Sequence, residues 1–127
     1  MSCPTEHEEQ KALMQWHQVV LHQWPELDLL HAIPNGGHRS KATAGKLRAE
    51  GVKAGVPDLF LPVARGPYHG LYIEMKRQRG GGLSEDQKAW RDKLTAQGYS
   101  VRMCRGWLEA SQVLIDYLTK RGEGFDR

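Results

Sequence analysis

The sequence predicts an α/β or α+β domain, on three observations. The chain opens on a stretch with helical periodicity. Its middle holds two adjacent strand-like runs joined by a short loop. Its last third alternates a helix, a strand and another helix. Taken in order, the elements read αβ(α)ββαβα. A length of 127 residues suits a single domain, and no repeat, linker or second boundary interrupts it. We expect one domain over residues 1–127, with its core at about 5–118 and a frayed tail over 119–127.

The first helix is expected from Thr5 or Glu6 to about Trp24, with Thr5 as N-cap, acids in the first turn and Pro25 as the stop. Leu13, Trp16, Val20 and Trp24 recur at helical spacing and form its buried stripe. Carried backward, the stripe meets Gln10, Glu9 and Glu6, so polar groups point inward at that end. Leu27 to Ile33 reads as a strand, ended by Pro34-Asn35-Gly36-Gly37. Ser40 to Glu50 reads as a short helix closed by Gly51.

Val56 to Pro62 and Gly70 to Lys76 then form a hairpin, because the loop between them is short. Ser84-x-x-Gln87 is a capping box opening a long helix, with Gln87, Trp90 and Leu94 on one side and Gly98 at its end. Tyr99 to Cys104 alternates as a strand. Trp107 to Thr119 is an amphipathic helix expected to bury Leu108, Val113 or Leu114, and Tyr117 or Leu118. The tryptophans at 16, 24, 90 and 107 are assigned mostly to the core.

Bulk composition excludes several classes. Mean hydropathy is −0.61 with 39% hydrophobic residues, enough for one modest core. No apolar run reaches membrane-spanning length, and the acidic N-terminus is no signal peptide. Cys3 and Cys104 read as two reduced thiols, which makes the cytoplasm the expected compartment. The six histidines are scattered and form neither an i,i+4 pair nor a Cys/His cluster, so zinc is not expected. Ala44-Gly45-Lys46-Leu47 lacks the remaining residues of a phosphate-binding loop, so no nucleotide cofactor is expected either.

Net charge is only +3, yet His38 to Lys53 carries five Lys and Arg against the single acid Glu50. That segment suits a phosphate backbone, although a solvated helix face would look the same. Asn35, Arg39, Lys41 and Lys53 are the candidate DNA contacts.

The hairpin carries the chemistry. Tyr72, Glu74 and Lys76 share one face of the second strand, and Leu71, Ile73 and Met75 share the other. Asp58 lies sixteen positions before Glu74, and an antiparallel pairing can set the two side by side. Two carboxylates and a lysine converging in this way are what a Mg²⁺-dependent phosphodiesterase needs. A Glu74–Lys76 or Asp58–Lys76 ion pair would also satisfy these charges with no catalysis.

Pro57-Asp58 followed by Glu74-Met75-Lys76 resembles the PD-(D/E)XK nuclease superfamily. Together with Gly51-Val52-Lys53-Ala54-Gly55-Val56-Pro57-Asp58, Gly70 to Lys76 and Ser84 to Trp90, it resembles the VRR-NUC branch, and within it the small stand-alone proteins of phages and prophages. The likeness runs from about Thr5 to Leu118. It implies a restriction-endonuclease-like α/β core, a mixed sheet with helices on both sides. It implies Asp58, Glu74 and the Met75 backbone carbonyl as ligands of Mg²⁺ (or Mn²⁺), and Lys76 as the group that positions the attacking water. It further implies a glutamine, here Gln87, beside the metal, and a carboxylate from the first helix, Glu6 by match and Glu9 as the alternative. Either glutamate could instead serve the helix dipole, and Gln87 could simply cap its helix.

The implied activity is structure-specific DNA endonuclease action on branched DNA, four-way (Holliday) junctions above all, by a homodimer. Two nicks related by a two-fold axis call for two sites. Exposed parts of the last helix and of the first helix are the candidate dimer faces. The alternatives are a flap or fork nuclease and a catalytically silent DNA-binding module.

Overall fold

The computed structural model describes residues 3–34 and 40–120. Helix α1 spans Glu6–Val20 and begins at a reciprocal cap: Thr5 Oγ1 accepts from the Glu8 N–H, and the Glu8 carboxylate accepts from the Thr5 N–H. It ends about one turn before Trp24. Leu13 is its buried apolar residue, beside buried Glu9 and His17, and Trp16, Val20 and Trp24 pack half-buried against the core. All four tryptophans are half-buried, and Trp16, Trp24 and Trp107 pack against the core as expected, without being sealed inside it.

The strand expected over Leu27–Ile33 is mostly a 3₁₀ helix, Pro25–Leu29, and only His31–Ala32 form strand β1. Leu27 and Leu30 are both buried. A three-residue turn puts positions i and i+3 on one side, whereas a strand would send them to opposite faces. Helix α2, Lys41–Ala49, is capped by Ser40 through the Thr43 N–H. Gly51 then takes φ +104, a left-handed conformation open to glycine.

The remaining elements are β2 (Leu59–Leu61), β3 (Leu71–Lys76), α3 (Glu85–Ala96), β4 (Ser100–Arg105) and α4 (Trp107–Thr119). The expected hairpin forms, with Leu59 opposite Ile73 and Leu61 opposite Leu71. Strand order is β1-β2-β3-β4. The first three strands are antiparallel, and β4 runs parallel to β3 because α3 carries the crossover.

Leu59, Leu61, Leu71, Ile73 and Met75 point to one face, where Leu13 of α1 and Val113, Leu114 and Tyr117 of α4 close the core. Burying one such side chain contributes about 1.5–3 kcal/mol. Leu108 is not among them: it is 58% exposed, because α4 turns Ala110, Ser111, Val113 and Leu114 inward. The opposite face carries Phe60, Tyr72, Glu74 and Lys76. There α3 packs on β4, leaving β1 and β2 with no helix packed over them among the described elements.

Candidate active site

Continuing the β2–β3 register one step beyond Leu59 and Ile73 sets Asp58 opposite Glu74, both on the face away from the core. Two links hold Asp58 there. Its carbonyl accepts from the Ile33 N–H at 2.8 Å, and its Oδ2 accepts from the Met75 N–H at 2.7 Å. Gly55, at φ +94, lets the Pro57-Asp58 segment run close to α3, since a Cβ there would come within 2.7 Å of the Asp86 backbone. The Met75 side chain is buried in the core, so only its main chain belongs to the site.

Glu74 and Lys76 are both buried, at 5% and 7% exposure, with Lys76 Nζ 3.9 Å from Glu74 Oε2. Gln87 joins them. Its Oε1 accepts from Lys76 Nζ at 3.1 Å and from the Ser84 N–H at 2.9 Å, while its Nε2 donates to Glu74 Oε2 at 3.0 Å. The capping box and the site contact are therefore one side chain in one conformation. Glu74 Oε1 is buried with no hydrogen-bond partner among the described residues. Burial, then the Asp58 carboxyl through its charge and its hydrogen bond, pushes the Glu74 carboxyl up to about 9, while Lys76 pulls it back and Glu6 adds a small push.

The two candidates on α1 part company. Glu6 is exposed in the first turn, near enough for its charge to be felt at Glu74. Glu9 is buried and committed elsewhere, accepting from Gln78 Nε2 at 2.8 Å and from the Trp107 N–H at 2.9 Å. Lys41 and Lys53 are exposed, at the start of α2 and in the loop after it. Asn35 and Arg39 lie outside the described residues, as do residues 121–127 of the expected tail.

Sequence reasoning missed Arg105, which donates to the carbonyls of Arg77, Gly80 and Gly81 and so pins the glycine-rich loop behind Lys76. It placed Tyr72 on the face of Glu74 but missed Phe60, which lies two residues after Asp58 and which strand alternation alone would have put on the same face.

With this geometry in view, the comparisons with known proteins are specific. Residues 5–107 match the VRR-NUC domain. The chain belongs to the VRR-NUC domain family. A solved structure titled VRR_NUC domain protein is 30% identical and superposes with a TM-score of 0.80, covering 99% of this chain and 98% of that one. No curated protein matches the sequence. The VRR-NUC match covers every element from α1 to β4, and it marks the chain as a nuclease-type domain with DNA as the implied substrate. No helix among the described residues is long and apolar enough to cross a membrane.

Proposed function

We propose that this VRR-NUC domain is a divalent-metal-dependent, structure-specific endonuclease that hydrolyses phosphodiester bonds in branched DNA, with four-way junctions as its main substrate and a homodimer as its working form. The observation that carries this reading is the pairing of half-buried Asp58 with buried Glu74. Two carboxylates set opposite each other, one of them buried with an orphaned oxygen and pushed toward the protonated form, make a poor resting state and a good cation site.

The donor set fits Mg²⁺ or Mn²⁺. Asp58, Glu74 and the Met75 carbonyl would hold the ion through hard oxygen atoms, as such cations prefer. Among the described residues no three His, Cys, Asp or Glu side chains form a cage on their own. When bound, the ion supplies a Lewis acid for the scissile phosphate.

The chain's own residues do the rest. Lys76 places an ammonium where charge develops on the phosphate or where a water must be oriented. Gln87 holds that ammonium and Glu74 in fixed relation, so neither must reorganise during the reaction. Glu6, free at the helix start, is the third carboxylate of this scheme. A single site per chain cannot make two symmetric nicks. A C₂ dimer supplies the second, and the helical layer of α1 and α4, where Val19 and Leu108 are exposed, is its candidate face.

The test is a nicking assay in Mg²⁺ and in Mn²⁺ on a synthetic four-way junction, beside linear duplex, flap and fork. Cleavage restricted to the junction supports resolution, and cleavage of flap or fork alone moves the assignment to those substrates. No cleavage of any substrate leaves a DNA-binding module. Asp58→Ala should abolish cutting while leaving junction binding largely intact. Asp58→Asn should do the same while keeping an oxygen for the Met75 N–H. A variant at Asp58 that still cuts would remove it from the metal site.

A further inference from the structure

Beside the Asp58–Glu74 pair lies a continuous group of rings that the cleavage scheme does not use. Phe60 and Tyr72, directly opposed on β2 and β3, stack with centroids 4.2 Å apart and planes 17° from parallel. Tyr99 meets both edge-on, at 5.9 Å and 5.4 Å. His31 closes one end against Phe60 at 5.8 Å, and His69 closes the other against Tyr99 at 5.8 Å.

Two glycines make room for this array. A Cβ at Gly70 would come within 2.9 Å of the Phe60 ring and 3.1 Å of the Leu61 carbonyl. A Cβ at Gly98 would come within 2.6 Å of the His69 ring. The rings are not sealed in the core: Phe60, Tyr72 and Tyr99 are half-buried, and His31 and His69 are exposed.

We propose that this array is a stacking platform for unpaired nucleobases next to the scissile phosphate. The inference rests on the nuclease reading and adds that the branched DNA it takes, a four-way junction included, presents an unpaired nucleotide at the branch when bound. Phe60 and Tyr72 stand two residues from Asp58 and Glu74 on the same sheet face, about 7 Å along the strand. A chain whose phosphate meets the two carboxylates therefore brings its neighbouring nucleotide over the rings. The part of these half-buried rings that is left open offers aromatic surface on which a base of any sequence can pack. A base inside a duplex already has both faces covered, so only an unpaired one gains from the contact.

The test uses the full chain in EDTA, so that the readout owes nothing to cleavage. Three oligonucleotide probes carry 2-aminopurine: a single strand, a fork with the fluorescent base unpaired at the branch, and a perfect duplex. Binding should quench the single strand and the fork. Tyr72→Leu should weaken the affinity for both by about tenfold, as losing one base–ring stack predicts. Tyr72→Phe should keep the wild-type affinity, and the duplex affinity should be the same for all three proteins.

Should Tyr72→Leu fail to fold, Tyr99→Leu tests the platform from its edge. The proposal is overturned if the leucine variant binds unpaired DNA as wild type does, or if it loses duplex affinity equally. It is also overturned if the variant sediments as a monomer where wild type is a dimer, since the rings would then be a subunit face. Quenching without any cleavage in Mg²⁺ or Mn²⁺ would remove the nuclease reading and leave the platform. Cleavage without ring-dependent quenching would do the reverse.

Discussion

Gln87 joins a helix start to a buried charge pair, and the two jobs can be separated. Its Oε1 serves the Ser84 N–H and Lys76 together, and its Nε2 serves Glu74. Ser84→Ala removes only the hydroxyl that accepts from the Gln87 N–H, costing about 1 kcal/mol. That is a Tm loss of about 3–6 °C in a domain of this size. Nicking at saturating metal should survive. Gln87→Ala should lower Tm by at least as much and also cut the nicking rate by more than about tenfold, as loss of a preorganised contact does. Equal nicking in the two variants would reduce Gln87 to a cap.

Glu74 gives a pH signature without DNA. Its proton is held up to about 9 when folded and released near 4.5 when unfolded. Between those values the unfolded chain loses the proton first, so the stabilising contribution is full below the lower value and drains away as pH rises toward the upper one. In EDTA, the melting temperature of wild type should fall between pH 5 and pH 9 more steeply than that of Glu74→Gln. Parallel curves would show that Glu74 titrates normally.

Among the elements, Glu9 is the join that matters most for stability. It links α1 to Gln78, just past β3, and to the first N–H of α4, whose N-cap Gly106 offers no side chain of its own. Glu9→Ala leaves the half-buried Trp107 N–H without its acceptor and lets the exposed Gln78 amide turn to water, and should cost about 2 kcal/mol in urea unfolding. A loss under about 1 kcal/mol would mean that water replaces the carboxylate.

Periodicity in the sequence turned Glu9 inward but could not name its partners, which lie 69 and 98 residues further along the chain. The same divide between local and distant information runs through the fold. Caps at Thr5, Ser40 and Ser84 wrote the helix starts locally, and two-residue alternation paired Asp58 with Glu74. Leu27–Ile33 went astray because a short apolar run suits a strand and a 3₁₀ turn equally until Leu27 and Leu30 find the core. Leu108 went astray because the rotation of α4 is set by packing against α1, not by its own pattern. The hydrogen bonds that hold Glu9 needed Gln78 and Trp107 in place, far along the chain, and no local pattern around Glu6 and Glu9 carries them.

Across the whole molecule the sheet has two unlike sides. One is dry and closed by α1 and α4. The other is shared between α3, the carboxylate pair and the rings, and the basic α2 segment is inserted between β1 and β2. A net charge of +3 is too small to draw DNA to the chain at large, so attraction must come from where the charge is placed. Lys41 and Lys53 bracket α2 and are exposed.

If they touch phosphates, each releases condensed counterion when DNA binds. The slope of log K against log salt should then shrink by about 0.9 for each lysine replaced by alanine on duplex arms. The loss should be the same for every DNA sequence, because a phosphate contact reads no base. A merely solvated pair would leave the slope untouched even if affinity drifted. Measuring the slope from 50 to 200 mM salt, rather than affinity at one salt, therefore decides between the two, and the double variant should add the two losses if the lysines meet separate phosphates.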